Sequence, residues 1–364
     1  MDKPHIVITG VAGNLGTRLL AKLADFEVVG IDLKPPASHL PLQFESMDLG
    51  QEKSCRDLFH LLRAVRPVAV VHLAFVVDPV RNGTLDAQRM WQVNVAGTAR
   101  VMEAIAEANH DQPTVRRFLC PGSSTAYGPL LPTPVDENYP LSAHTFPYAV
   151  QKMESDQVVR HRAPAMRGCS TYLLRPSIFA GSSVDNYLLG ALRGTAYGTS
   201  RRASEMRRKG QRLPCLLPFG DRWLAHELQF VHVDDMARLI AHLLRNPRPD
   251  SQRITILNVA GRREPLTVGQ CLSLANTRLV RVPGLWALRR TLDFFWKKGI
   301  SSIPPEATPY LVGQFLVDTT RLQNLLGSDY EHVMQHTCIQ AFTESLSAIH
   351  TPASLDPAVS PAQD

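Results

Sequence analysis

Tyr148 and Lys152 stand four positions apart in Tyr148-Ala149-Val150-Gln151-Lys152. On a helix that spacing puts a phenol and an ammonium on one face. An unperturbed phenol, with a pKa of about 10, is a poor base at neutral pH. A nearby cation favours the phenolate and lowers that pKa. A phenolate so placed takes a proton from a hydroxyl as hydride leaves the carbon, and in reverse the phenol gives it to a ketone. Alone, the pattern is common on solvated helix faces, so the rest of the chain decides whether it is a site.

A second signal lies near the N-terminus, in Thr9-Gly10-Val11-Ala12-Gly13-Asn14-Leu15-Gly16. It follows an apolar run, His5–Thr9, and opens a helical pattern, the context a phosphate-binding glycine turn needs. Gly10 permits the tight turn, Gly13 lets backbone approach a pyrophosphate, and Gly16 permits close packing of helix on strand. The helix start offers free N–H groups and the positive end of its dipole. Asp32 ends the next strand, where a carboxylate accepts from an adenosine ribose and repels a 2′-phosphate. NAD is therefore expected over NADP, with Lys34 close by as the one contrary feature.

These residues need a scaffold that brings strand ends together. Strands are expected at His5–Thr9, Glu27–Asp32, Val68–Leu73, Arg117–Cys120 and Ser170–Arg175, and helices at Leu15–Ala24, Cys55–Val65, Gln92–Ala108 and Pro147–His161. Strict alternation of this kind predicts an α/β, Rossmann-type, doubly wound parallel sheet. After Arg175 the rhythm breaks. Leu228–Val233 and Ile254–Val259 read as strands returning to the sheet. The expected division is a dinucleotide-binding domain over 1–176, a smaller C-terminal substrate-binding region over 177–349, and a disordered tail over 350–364 rich in Pro, Ala and Ser.

The 364 residues are 44% hydrophobic and 20% charged, enough chain for a substantial core. Six scattered cysteines, with no C-x-x-C pair, suit a reducing cytoplasm and give no metal site. The first residues enter a strand at once, so no signal peptide is expected, and no apolar run is long enough to span a bilayer. The formal charge is +6, and much of it falls in one run holding Arg201, Arg202, Arg207, Arg208, Lys209 and Arg212 against Glu205. A run of that kind reads as a solvated loop. A small-molecule substrate is expected, and no nucleic acid.

The motifs together resemble the extended short-chain dehydrogenases/reductases, the NAD-dependent epimerase/dehydratase group. Matching segments are the glycine turn Thr9–Gly16, the acidic strand end at Asp32, Asp48-Leu49, His72-Leu73-Ala74, Asn94-Val95-Ala96-Gly97-Thr98, Gly122–Gly128 with Ser123 and Ser124, Leu174-Arg175-Pro176, and Phe230–Asp235. The resemblance implies that Tyr148 is the acid/base and that Lys152 holds the nicotinamide ribose and tunes Tyr148. It implies that Ser123, or Ser124 one position on, bonds the substrate oxygen. It puts Gly10, Gly13, Asn14, Leu15 and Gly16 at the phosphates, Asp48 and Leu49 near adenine, and Leu73, Ala74, Asn94 and Pro176 beside the cofactor. Asn94 reads equally well as a plain helix N-cap. The family also suggests a homodimer built on Gln92–Ala108 and Pro147–His161.

Three departures concern the substrate. Relatives that bind nucleotide sugars carry polar or cationic residues where this chain has Ile178, Leu228 and Thr308. Arginine matters there because its fork binds phosphate oxygens in pairs. Ser124 and Thr125 stand where sugar dehydratases carry an acidic pair, so elimination of water is not expected. The segment Leu279–Ile300 is apolar and aromatic, with Leu285, Leu288, Leu292 and Phe295 at helical spacing beside Arg289, Arg290, Lys297 and Lys298. A core-facing helix is the first reading, and a lid over an apolar substrate or a membrane-surface contact are the others. Three functions remain open: hydride transfer on a non-nucleotide alcohol or ketone, nucleotide-sugar 4-epimerisation with tightly held NAD, and a cofactor-binding sensor without chemistry.

Overall fold

A computed structural model describes residues 3–37, 41–77, 87–132, 134–246 and 254–347. The first half lays down β1 (His5–Thr9), α1 (Asn14–Leu20), β2 (Glu27–Asp32), β3 (Gln43–Ser46), α2 (Ser54–Val65) and β4 (Ala69–His72). There follow α3 (Ala87–Trp91), a π-helical turn Gln92–Ala96, α4 (Gly97–Ala108), β5 (Arg117–Pro121), α5 (Pro147–Arg162) and β6 (Ser170–Pro176). The strands make one seven-stranded sheet that takes in β11 (Ile254–Val259), in the order β11-β6-β5-β4-β1-β2-β3. Every pairing in it is parallel. This is the expected doubly wound α/β arrangement, and the strand order reverses between β1 and β4. Ligand crevices open at such a switch point, beyond the carboxyl ends of the strands.

The period-2 pattern explains the layers. Ile6 and Ile8 of β1, with Ala69 and Val71 of β4, pack with Met236, Leu239, Ile240 and Leu243. Val7 and Val70 face the other way, onto Leu58, Leu62, Val101, Ile105 and Val159 of α2, α4 and α5. Strands covered on both faces must read as continuous apolar runs, as these do. Each fully buried Ile or Val adds about 1.5–3 kcal/mol.

Beyond β6 the chain builds β7 (Ile178–Ala180), α6 (Tyr187–Arg193), α7 (Arg201–Arg208), β8 (Cys215–Pro218), α8 (Arg222–Ala225), β9 (Glu227–Leu228), β10 (Phe230–His232) and α9 (Val233–Arg245). After β11 come β12 (Leu266–Thr267), α10 (Val268–Leu274), β13 (Leu279–Val282), α11 (Gly284–Lys297) and α12 (Thr308–Leu311). Here the structure corrects the sequence reading. The 254–259 strand joins the main sheet, but the 228–233 segment does not: β10 pairs with β7 in a separate two-stranded unit. The basic run is a helix, capped by Ser200 on Ala203, rather than a loop. Two of its cations are structural. Arg207 donates to the carbonyls of Ala196 and Gly198, and Arg212 to those of Arg193 and Ala275. The expected tail over 350–364 lies outside the described residues. No helix among the described residues is long and apolar enough to cross a membrane.

Candidate active site

The glycine turn is shaped by what a side chain would hit. Gly10 has φ +72, and a Cβ there would stand 2.5 Å from the Ala74 nitrogen. A Cβ on Gly16 would stand 2.5 Å from the Val11 carbonyl oxygen, so its constraint is the turn itself rather than the strand. Gly13 is different: its Cβ would meet only Gly10 O, at 3.2 Å, with the other side open to the cavity. Gly13 also begins α1 without a side-chain cap, so the helix's first N–H groups face outward unclaimed by a side chain. The turn thus fits a group that brings phosphate oxygens against backbone.

Two supports hold this cradle. Asp32 accepts from the Ala12 N–H at 3.0 Å and the Leu33 N–H at 2.7 Å, stiffening the loop with its carboxylate. On the other side, the Thr98 hydroxyl donates to Asn94 O and therefore accepts from His72 Nε2–H at 3.0 Å. His72 Nδ1 then accepts from Thr9 at 2.7 Å. Burial drives the His72 pKa down to about 3, so the ring stays neutral and this relay keeps its polarity. It fixes Leu73-Ala74 against the glycine turn.

Tyr148 and Lys152 occupy the first turns of α5, which starts at Pro147. Of the two adjacent serines, Ser123 is the one whose side chain acts on the Tyr148 phenol, favouring its ionised form. Thr125 locks Ser123 in turn, donating to its Oγ from N–H at 3.2 Å and from its hydroxyl at 2.9 Å. Burial pushes the Tyr148 pKa up to about 12, with Ser123 opposing it. Burial outweighs Ser123, so the protein's own groups leave the phenol's pKa above its ordinary value, contrary to the simple expectation from Lys152. The Lys152 ammonium instead donates to Pro121 O at 3.0 Å and sits 3.6 Å from the centre of the Phe75 ring. Burial brings its pKa down to about 8, with Cys120 and Asp156 pulling the other way.

A cavity of ≈ 400 Å³ collects most of the expected residues. Gly10, Gly13, Asn14, Leu15, Gly16, Leu73, Ala74, Ser123, Ser124, Tyr148, Lys152, Pro176 and Ile178 all line it. Asp32, Asp48, Leu49 and Asn94 do not. Asp48 is bound by Arg89 and accepts from Gly50 N–H; burial raises its pKa, but these partners outweigh burial and the net direction is down. Leu49 is core. Asn94 is neither at a helix start nor a cap. It lies inside the π turn, where it accepts from Val76 N–H at 2.6 Å and donates to Gln151 at 2.8 Å.

The rest of the wall includes a group of aromatic side chains. Phe146 packs on Tyr148, Tyr187 and Tyr310 with centroids 5.5–5.7 Å apart, and Tyr310 stacks on Phe315. Sequence reasoning missed these residues because they are single aromatics scattered over distant segments. It pointed instead to Trp286 and Phe295, which do not line the cavity. No arginine lines it among the described residues. Ile178 is in the wall, while Leu228 and Thr308 are buried, the Thr308 hydroxyl donating to Pro305 O. Arg222 lies outside, over the Trp223 ring.

Comparison with known proteins agrees with this geometry. The NAD dependent epimerase/dehydratase family model matches residues 6–260. A UDP-glucose 4-epimerase from Erwinia amylovora is 29% identical over 183 residues, 47% of this chain and 52% of the relative, so the match spans about half the relative's length. Among solved structures, WbmH from Bordetella bronchiseptica in complex with NAD+ superposes with TM-score 0.65 at 15% identity, over 96% of this chain and 99% of that one. A UDP-glucose 4-epimerase from Thermotoga maritima with UDP-glucose gives 0.63 at 17%, over 95% and 98%. These likenesses carry the fold, and the family match covers the glycine turn, the Ser123 segment and the Tyr148–Lys152 helix: the chain belongs to the NAD dependent epimerase/dehydratase family.

Proposed function

We propose that this protein transfers hydride at a secondary alcohol or ketone carbon of an apolar substrate that is not a nucleotide sugar. One observation carries the reading: the Ser123–Tyr148 pair opens into an aromatic-walled cavity whose described lining has no arginine. The glycine turn would hold the pyrophosphate, Asp32 the adenosine ribose, and Lys152 the nicotinamide ribose. When bound, NAD accepts or returns the hydride and brings a positive charge to the site.

Ser123 and Tyr148 share the substrate oxygen, and the Tyr148 phenolate takes its proton. That proton transfer needs the phenol's pKa of about 12 brought down, and added positive charge has that effect. Phe75 and Phe146 exclude water and keep the substrate oxygen on Ser123 and Tyr148. The segments from residue 177 onward supply Ile178, Tyr187 and Tyr310 to the substrate side. The same family points to a homodimer through α4 and α5, which pack side by side.

The test is to load the protein with NAD and follow NADH absorbance while titrating apolar secondary alcohols. Interconversion of UDP-glucose and UDP-galactose without net NADH would replace this reading with the 4-epimerase one, which the Erwinia relative's name favours.

A further inference from the structure

Helix α11 turns only part of its surface inward. Leu288 and Leu292 are buried in the core of the substrate region. Its outer face is neither apolar nor simply polar. Leu285 is 46% exposed, Trp286 70% and Phe294 53%, and Phe219, tied to the strand before the helix through Phe219 N–H to Val282 O, is 64% exposed. These are four of the ten large hydrophobic side chains that stand exposed among the described residues. Three of them fall on α11 and Phe219 on the segment bonded to the strand before it, a grouping that distinguishes them from ordinary scattered surface hydrophobics.

Cations interleave with them. Arg289, Arg290, Lys297 and Lys298 are all exposed, and Asp293, the one acid on the helix, pairs with Lys297. No ion pair holds Arg289, Arg290 or Lys298 among the described residues. The end of α11 is joined to the start of α7 by the Ser200 N–H to Gly299 O bond, and the exposed Arg201, paired with Glu205, and Arg202 begin that helix.

We propose that this face docks on an anionic lipid surface. Trp, Phe and Leu set among Arg and Lys is the composition of a helix lying in the membrane interface. The apolar side chains enter the headgroup boundary, while the long cationic stems reach back to lipid phosphates. Charge selects this occupant over a second copy of the chain: a two-fold contact would set Arg289 and Arg290 against their own equivalents. This inference stands apart from the hydride-transfer reading, because α11's outer face is not part of the cavity.

The test is co-sedimentation of the full chain with vesicles of phosphatidylcholine alone and of phosphatidylcholine mixed with phosphatidylglycerol. Binding is expected to the mixed vesicles only and to fade as salt is raised. Arg289→Glu/Arg290→Glu and Trp286→Ser/Phe294→Ser should each lower partitioning by at least about tenfold. NAD titration and melting temperature should stay as in the parent, since all four side chains are exposed. Equal pelleting with neutral vesicles, no pelleting with either, or binding unchanged by both variants overturns the proposal. Self-association through this face, or retention on RNA without vesicle binding, overturns it as well.

Discussion

Arg175 grips Asp156 through two parallel hydrogen bonds of 2.7 and 2.9 Å, with both side chains wholly buried. Asp156 is one turn beyond Lys152 on α5, and Arg175 lies on β6 under it. The remaining Arg175 nitrogen donates to Tyr127 and to Glu137 O, and the Tyr127 hydroxyl donates in turn to Asn258 Oδ1. The pair therefore anchors α5, the helix that carries Tyr148 and Lys152, to the sheet. Asp156→Asn or Arg175→Met alone should cost about 3–5 kcal/mol in urea unfolding, because a buried charge loses its partner. Replacing both by apolar residues should cost much less.

Tyr148→Phe should lower turnover by about 10²–10⁴-fold while NAD titration is unchanged, since only the proton carrier is lost. Lys152→Ala should weaken both. Near-normal turnover in Tyr148→Phe would refute the assignment.

Lys152 also leaves a signature in stability. Its folded pKa of about 8 lies below the ordinary lysine value of 10.5. Between those two values the unfolded chain holds a proton that the folded chain lacks, so this group's contribution to stability rises with pH. Below pH 8 both states are charged, and the burial penalty is at its full size. Urea unfolding of the parent and of Lys152→Met at pH 7 and pH 9.5 isolates the effect, because the thiols titrate in both proteins. The advantage of Lys152→Met should be larger at pH 7.

Asp32 should select NAD. Two backbone bonds hold its carboxylate at the end of β2, and on the proposed reading that carboxylate would face the adenosine ribose and repel a 2′-phosphate. Asp32→Ser should narrow the preference and also loosen the Ala12 turn. Titration with both dinucleotides checks this, and equal or tighter NADPH binding by the parent would sink the claim.

UDP-glucose and UDP-galactose should bind weakly or not at all. Each missing charged hydrogen bond forfeits about 1.5–3 kcal/mol, so two of them cost a factor of about a hundred or more. Calorimetry decides, and low-micromolar binding abolished by Arg222→Ala would restore the epimerase.

Local chemistry was legible where it is contiguous. The glycine turn, Ser123 and the Tyr148–Lys152 helix come to one cavity because spacing within a single loop or helix fixes local geometry, whereas Asp32 ends its strand without lining that cavity. Partners distant in sequence did not. Leu174-Arg175-Pro176 was recognisable as a landmark, but nothing local shows that its arginine meets Asp156. Pairing of β10 with β7 was hidden for the same reason: a three-residue strand carries no sign of which neighbour it joins. For α11, Leu288 and Leu292 turn inward as the spacing suggested, whereas Leu285 turns out, because an apolar stripe states a face and not its occupant.

The π turn at Gln92–Ala96 makes the length of the chain here as consequential as its composition. Gly97 N–H reaches back five residues to Gln92 O, so the segment holds one residue more than an α-helix would. Asn94 O takes the Thr98 and Ser155 hydroxyls, the latter from α5. Deleting one residue would restore the ordinary helical repeat and swing α3 by about 100°. Arg89 would leave Asp48 and Trp91 would leave Glu154 together. Homologues that lack that residue should therefore be found to rebuild both contacts, and grafting between such sequences should fail at this boundary even where every individual substitution is tolerated.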